Sequence, residues 1–284
     1  MYQETLFKIF DVDVTLYGIC LAAGIVCCFL FLMYAFRKLK FNESATELIL
    51  LVGILATAFG VFFAMIFQAI YDYLADPSEK FVITGRMTFM GGLLGGVVSY
   101  LLLYGLYVFV IAPRAKTKWL QNDANAGLSD ALPVIPVGIC IAHMFGRIGC
   151  FFAGCCAGAP TNAWYGLPCS FTYPGQNVVP VQLFEAAFLA VLALVMYVLH
   201  RRFRFNCNIS VYAIGYGIWR FFIEYLRADD RGAFVESLTP SQFWSIVMII
   251  CGVGYLFLYR FVLKRCMKHP EEKIEMKHPE GKTE

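Results

Sequence analysis

Charged and polar side chains recur three or four residues apart at several places inside otherwise apolar runs. In YGIWRFFIEYLR, Tyr216, Arg220, Glu224 and Arg227 follow one another at spacings of four, four and three, which puts them on one face of a helix. In CIAHMFGRIGC, His143 and Arg147 are four apart and share a face. In PVQLFE, Gln182 and Glu185 sit three apart at the opening of another apolar run. An ionised side chain at the centre of a bilayer costs about 2.5–3.5 kcal/mol on insertion scales, so each such position is a functional candidate. Arginine presents a planar fork of N–H donors that fits a phosphate or carboxylate, so Arg147 and Arg220 point to anion binding. His143 has the side chain suited to general-base work near neutral pH. The plainer alternatives are an Arg220–Glu224 pair that only locks helices together, a histidine hydrogen-bonded between helices, and interfacial helix-start residues at 182 and 185.

The segment GRIGCFFAGCC at 146–156 adds glycines and cysteines to Arg147. Gly149, Gly154 and Gly158 allow close backbone approach and positive φ, which predicts a helix break after Arg147 and an irregular segment offering free amides to an anion. Packing of those glycines against neighbouring helices is the competing reading. Cys150, Cys155 and Cys156 form a C-x4-C-C pattern that matches no common zinc motif, so no metal and no cofactor are expected. A disulfide suits the segment better; adjacent Cys155 and Cys156 do not suit each other, leaving Cys150 or Cys169 as partners. The remaining glycine cluster, GRMTFMGGLLGG at 85–96, follows Arg86 and fits either a polar site or helix packing.

The elements that must position these residues are membrane spans. The chain is 60% hydrophobic and only 15% charged, with a mean hydropathy of +0.66, which excludes an ordinary soluble domain. Apolar runs near 15–36, 46–73, 88–112, 128–147, 181–200, 208–227 and 240–263 each approach the ~20 residues a helix needs to cross a bilayer. The expected fold is therefore an all-α integral membrane protein of about seven transmembrane helices around a lipid-accessible polar cavity. Basic clusters at Arg37/Lys38/Lys40, Arg114/Lys116/Lys118, Arg201/Arg202/Arg204 and Lys264/Arg265 follow alternate runs. By the positive-inside rule they place the N-terminus outside and the C-terminus in the cytoplasm. No cleavable signal peptide is expected, since MYQETLFKIFDVDVT mixes acids with its lysine and lacks a short apolar core. Residues 1–265 form the membrane domain; 266–284, with MKHPE twice and little to bury, is expected to be a disordered tail. A net charge of +3 and the absence of phosphate-binding glycine motifs give no reason to expect a nucleic-acid partner.

Taken together, the chain resembles the prolipoprotein diacylglyceryl transferases of bacterial cell membranes. The resemblance rests on Tyr17-Gly18, the glycine-rich start of the third run, GRIG at 146–149, PVQLFE at 180–185, and YGxxRxxxExxR running into RADDRG. It implies a multi-pass protein of the cytoplasmic membrane that transfers the diacylglyceryl group of phosphatidylglycerol to the thiol of a lipobox cysteine in a preprolipoprotein, releasing glycerol phosphate. It makes Arg147 and Arg220 a phosphate clamp, with Glu224 orienting Arg220 and Tyr17 and Tyr216 near the lipid head group. Gly149, Cys150, Gly154, Gly158, Gln182, Glu185 and Arg227 complete the expected substrate-binding set, with membrane lipids as further partners. The sequence departs from the family where Met90 replaces a histidine, Cys150 an asparagine and Cys155 a glutamate, marking a divergent member. With Met90 unable to take a proton, His143 becomes the candidate base. The alternatives are a related head-group transferase with another acceptor, a lipid or anion transporter, and a membrane protein using the clustered cysteines for redox or metal chemistry.

Overall fold

The computed structural model describes residues 5–9, 12–41, 43–75, 81–83, 87–114, 128–169, 173–227 and 238–263. An antiparallel hairpin of β1 (Thr5–Ile9) and β2 (Val12–Thr15) leads into α1 (Leu16–Lys38). Then come α2 (Glu43–Ala75), α3 (Phe89–Leu106) and α4 (Ile135–Ala153). A second hairpin, β3 (Leu167–Cys169) with β4 (Gln176–Val178), precedes α5 (Val181–Phe203), α6 (Asn208–Ile223) and α7 (Pro240–Leu258). The predicted tail and the segment after Arg227, with Arg86, lie outside the described residues.

Among the described residues six helices are long and apolar enough to cross a membrane. The seventh expected span is α6, only 16 residues and about 24 Å long at 1.5 Å per residue, extended by a 3₁₀ turn over Glu224–Leu226. Its shortness is what sets it apart from the other six. Large apolar side chains such as Leu101, Leu102 and Phe109 are 59%, 67% and 78% exposed on helix surfaces, which suits lipid and not water. The chain is an all-α membrane protein, with two small hairpins that its hydropathy does not announce.

Two compact units make up the chain. One comprises residues 32–131, in which α2 packs on α3. Here a methyl group on Gly91 would sit 2.6 Å from Phe67 Cβ, and Gly95 is pressed equally closely by Phe63. The paired glycines of GGLLGG thus serve close helix packing of the kind common in membranes.

The other unit joins residues 1–31 to 132–284 and carries the polar stripes. Its core is Val137 and Cys140 of α4, Leu189, Leu192, Ala193 and Met196 of α5, and Tyr216 of α6. Asn208 Nδ2 donates to Pro133 O at 2.6 Å and to Met196 O at 3.0 Å, tying the start of α6 to the approach to α4 and to α5. Phe188 and Trp219 stack with centroids 4.4 Å apart, setting the rotation of α6 against α5. Gly217 and Gly252 let α6 and α7 touch; a methyl on Gly217 would lie 2.8 Å from Ile249 Cγ1.

One sequence expectation is corrected here. The helix bearing Arg147 does not break at Gly149 but continues to Ala153, and ends on Gly154 in the left-handed region at φ 70°, ψ 10°. Its start is also later than the apolar run implies. Residues 132–134 form a turn and Pro136 occupies the first helical turn, where its missing N–H costs nothing.

Candidate functional site

Arg147 projects from the second turn of α4 counted back from its end, where side chains of α4, α5 and α6 hold it. Its Nη2 lies 3.1 Å from Glu185 Oε1 and donates to Tyr216 Oη at 3.0 Å, while its Nε donates to His143 Nε2 at 3.3 Å. Tyr216 Oη in turn donates to the same Glu185 Oε1 at 2.6 Å. The carboxylate is fully buried, so an unpaired charge there would be severely penalised; the arginine and the tyrosine are what make it tolerable. Among the described residues Glu185 Oε2 is buried without a hydrogen-bond partner.

His143 is held on both ring nitrogens. Nε2 accepts from Arg147, which requires the proton on Nδ1, and Nδ1 lies 2.9 Å from Tyr212 Oη. Its ring also packs edge-on against Tyr216 at 4.7 Å. Tyr212 was absent from the sequence expectations. The signal was present, since it stands one turn before Tyr216 on the same stripe and the two rings stack at 5.8 Å.

A second cluster forms at the end of α6. Arg220 Nη2 meets Glu224 Oε2 at 2.8 Å and donates to Ser241 Oγ at 2.8 Å. Thr239 Oγ1 donates to Glu224 Oε1 at 3.0 Å, and Arg227 Nε lies 3.8 Å from Oε2 of the same carboxylate. Thr239 and Ser241 also went unforeseen. They belong to the start of α7, where Thr239 and Gln242 exchange capping hydrogen bonds at 3.3 and 3.2 Å, a T-x-x-Q pattern legible as a helix start but not as a site. Arg220 is 8% exposed, and its Nη1 is buried without a partner among the described residues. Arg147 and Arg220 both exert their charge on His143 and on Tyr216, so the two clusters share one electrostatic environment.

The loop after α4 closes over these groups. Gln182 Nε2 donates to Cys155 O at 2.7 Å. Gly158 donates to Val179 O at 2.9 Å and pairs with Arg227 in an antiparallel bridge, while Ala159 N donates to Leu226 O at 2.9 Å. A methyl group on Gly158 would sit 2.7 Å from both Leu226 O and Val181 Cγ2, so only glycine permits this approach. Gly149 has a different use: a methyl there would lie 3.1 Å from Tyr17 Cδ2, and its absence seats the Tyr17 ring two residues beyond Arg147.

None of Cys150, Cys155, Cys156 and Cys169 is joined in a disulfide, so the bridge expected in this loop is not what the structure contains. Their Sγ atoms all lie within 4.8 Å of one another. The spacing gave no hint of this, because Cys156 adopts a left-handed φ of 61° directly after the Gly154 turn and folds back towards the helix end. The Cys156 thiol is held well below the usual thiol range by hydrogen bonds from Cys150 and Cys155 and by the charge of Arg227.

The arrangement thus gathers His143, Arg147, Gln182, Glu185, Tyr216, Arg220, Glu224 and Arg227 in one unit, with Tyr17 and the glycines fitting around them. Arg147 pairs with Glu185, while Arg220 and Arg227 both meet Glu224. Met90 belongs to the other unit, and its side chain lies outside what is described.

The family described as prolipoprotein diacylglyceryl transferase matches residues 4–258. The chain is 32% identical over 255 residues to phosphatidylglycerol--prolipoprotein diacylglyceryl transferase 2 of Clostridium perfringens, covering 87% of this chain and 91% of that one. It is 28% identical over 263 residues to the corresponding transferase of Clostridium tetani, covering 91% and 98%, and 31% identical over 273 residues to that of Finegoldia magna, covering 94% and 98%. With a match across nearly the whole membrane domain, this chain belongs to the prolipoprotein diacylglyceryl transferase family.

Proposed function

We propose that this protein transfers the diacylglyceryl group of phosphatidylglycerol to the thiol of a lipobox cysteine in a preprolipoprotein and releases glycerol phosphate. The observation that carries the reading is the buried Nη1 of Arg220, which has no partner among the described residues. Phosphatidylglycerol carries one negative charge on its phosphodiester, and more charge develops on the leaving oxygen as the carbon–oxygen bond breaks. Fixed donors in a dry site stabilise that charge without reorganising, which is commonly the largest contribution to catalysis.

Each side chain then has a role. Arg220, fixed by Glu224 and Ser241, offers Nη1 to the phosphate; Arg147, fixed by Glu185, Tyr216 and His143, adds its positive charge beside it. His143 acts as a positioning residue in this scheme, since its lone pair at Nε2 is engaged by Arg147. Tyr17, Gly149, Gly154, Gly158, Gln182 and Arg227 shape the surface on which the lipid head group rests. The N-terminus faces outward and the C-terminal tail the cytoplasm, which puts the loop after α4 on the side where secreted lipoproteins emerge.

The test is incubation of purified protein with labelled phosphatidylglycerol and a lipobox peptide. Lipidated peptide and glycerol phosphate are expected in equal amounts. Release of glycerol phosphate without peptide modification would remove the acceptor, and lipid binding with no turnover would replace the transferase by a transporter.

A further inference from the structure

Three thiols that meet at one point are a stronger feature than any of them alone. We propose that Cys150, Cys155 and Cys156 bind a single zinc ion as three thiolates, and that the fourth position receives the acceptor thiol of the transfer reaction. The second half of this proposal rests on the transferase reading; the first half does not.

The geometry comes first. Zinc binds cysteine sulfur at about 2.3 Å in a tetrahedral arrangement, which sets sulfur–sulfur distances of about 3.8 Å. The three Sγ atoms are all within 4.8 Å of one another, so they need to draw together by no more than about an ångström. Cys150 is fixed on the last turn of α4, and the left-handed residues Gly154 and Cys156 bring the other two thiols back to it. Cys155 is further anchored by the bond from Gln182 of α5 to its carbonyl. A non-glycine residue at φ 61° costs about 1 kcal/mol or more, and such strain is retained where it serves a function.

Charge supports the same site. Three thiolates around a divalent ion leave one net negative charge, and Arg227 hydrogen-bonds Cys156 while Arg147 lies within electrostatic range of Cys150 and Cys156. Soft thiolate donors select zinc over the hard cations of the cell. Three protein ligands with a fourth position open is the pattern of catalytic zinc, whereas structural zinc has four.

The chemistry fits what the neighbouring residues leave undone. The reaction alkylates a thiol, and the thiolate is the nucleophile. His143 has both ring nitrogens engaged. A thiol on zinc loses its proton outright at neutral pH, so the ion replaces a general base. The acceptor thiol gives its proton to solvent; its sulfur attacks the diacylglyceryl carbon bonded to phosphate. One carbon–sulfur bond forms, the carbon–oxygen bond breaks, and its electron pair leaves on glycerol phosphate. Nothing is oxidised or reduced.

The experiment titrates the purified, reduced full chain with zinc against a competing indicator, alongside Cys150→Ser, Cys155→Ser, Cys156→Ser and, as a control outside the cluster, Cys251→Ser. One zinc per wild-type chain is expected, with affinity falling at least about tenfold in each cluster variant and unchanged in the control. The wild-type titration stands even where a variant fails to fold, and helicity by circular dichroism identifies such a variant. Cobalt is then loaded in place of zinc, and a lipobox peptide is expected to increase the sulfur-to-metal absorption while its Cys→Ser counterpart does not. No stoichiometric zinc in the wild type, or zinc retained by the cluster variants, would overturn the site. An unchanged cobalt spectrum would overturn the acceptor's place on it. A bound metal that ligates the peptide without any lipid transfer would instead remove the transferase reading and leave the site standing.

Discussion

Tyr216 and Arg147 share one acceptor: Glu185 Oε1 receives the tyrosine hydroxyl at 2.6 Å and lies 3.1 Å from the arginine, with the carboxylate wholly buried. Neither α4 nor α6 can move relative to α5 without leaving that oxygen short of a donor. The polar triangle is therefore at once a joint between three helices and the mount of the guanidinium proposed to meet the lipid phosphate.

Glu185→Gln removes the charge and keeps the shape. Breaking one side of a buried pair costs about 3–5 kcal/mol, so a marked fall in thermal stability in detergent is expected. Transfer activity falls with it as Arg147 loses its anchor. Unfolding followed by tryptophan fluorescence, at matched lipid concentration, reads the first effect directly.

Arg220→Lys keeps a positive charge but loses the unpartnered Nη1 that the planar fork supplies. Removing one charge-stabilising donor costs about 10²–10³ in turnover, and that loss is expected here with helicity unchanged. Initial rates across a phosphatidylglycerol series should show it chiefly in kcat.

His143→Gln separates positioning from proton transfer. A positioning role predicts a fall of about tenfold in kcat while the pH–rate profile keeps its shape. Loss of one limb of that profile would make the imidazole a base after all.

Gly158→Ala places a methyl group 2.7 Å from a backbone carbonyl and from Val181, so the loop must move off Arg227. Overpacking of this kind costs about 1–3 kcal/mol. Gly149→Ala meets Tyr17 at a looser 3.1 Å and is expected to cost less. Comparing the two melting temperatures tests the ranking.

Much of the site was legible because membrane burial makes charge conspicuous: Arg147, Glu185, Arg220 and Glu224 stand out against apolar neighbours, and helical spacing alone pairs Arg220 with Glu224. What the spacing of one helix does not disclose is which residue on another helix completes it. Tyr212 and Ser241 look like ordinary helix residues until α4, α6 and α7 are placed. The end of α4 was misjudged for a related reason. A glycine that receives an aromatic ring, as Gly149 receives Tyr17, looks in sequence the same as a glycine that ends a helix, as Gly154 does. Gly91 and Gly95 illustrate the point again, since their role is settled by Phe63 and Phe67.

The unit that carries the arginines is discontinuous, built from residues 1–31 and 132–284. During synthesis the ring of Tyr17 has no Gly149 to rest on until the intervening residues 32–131 have passed through the ribosome. At roughly 5–20 residues per second, that interval is on the order of 5–20 seconds. Throughout it the first span waits in the bilayer with its contact face open. Insertion is therefore a timed operation, and early capture of that face by another apolar helix is the hazard this chain order creates.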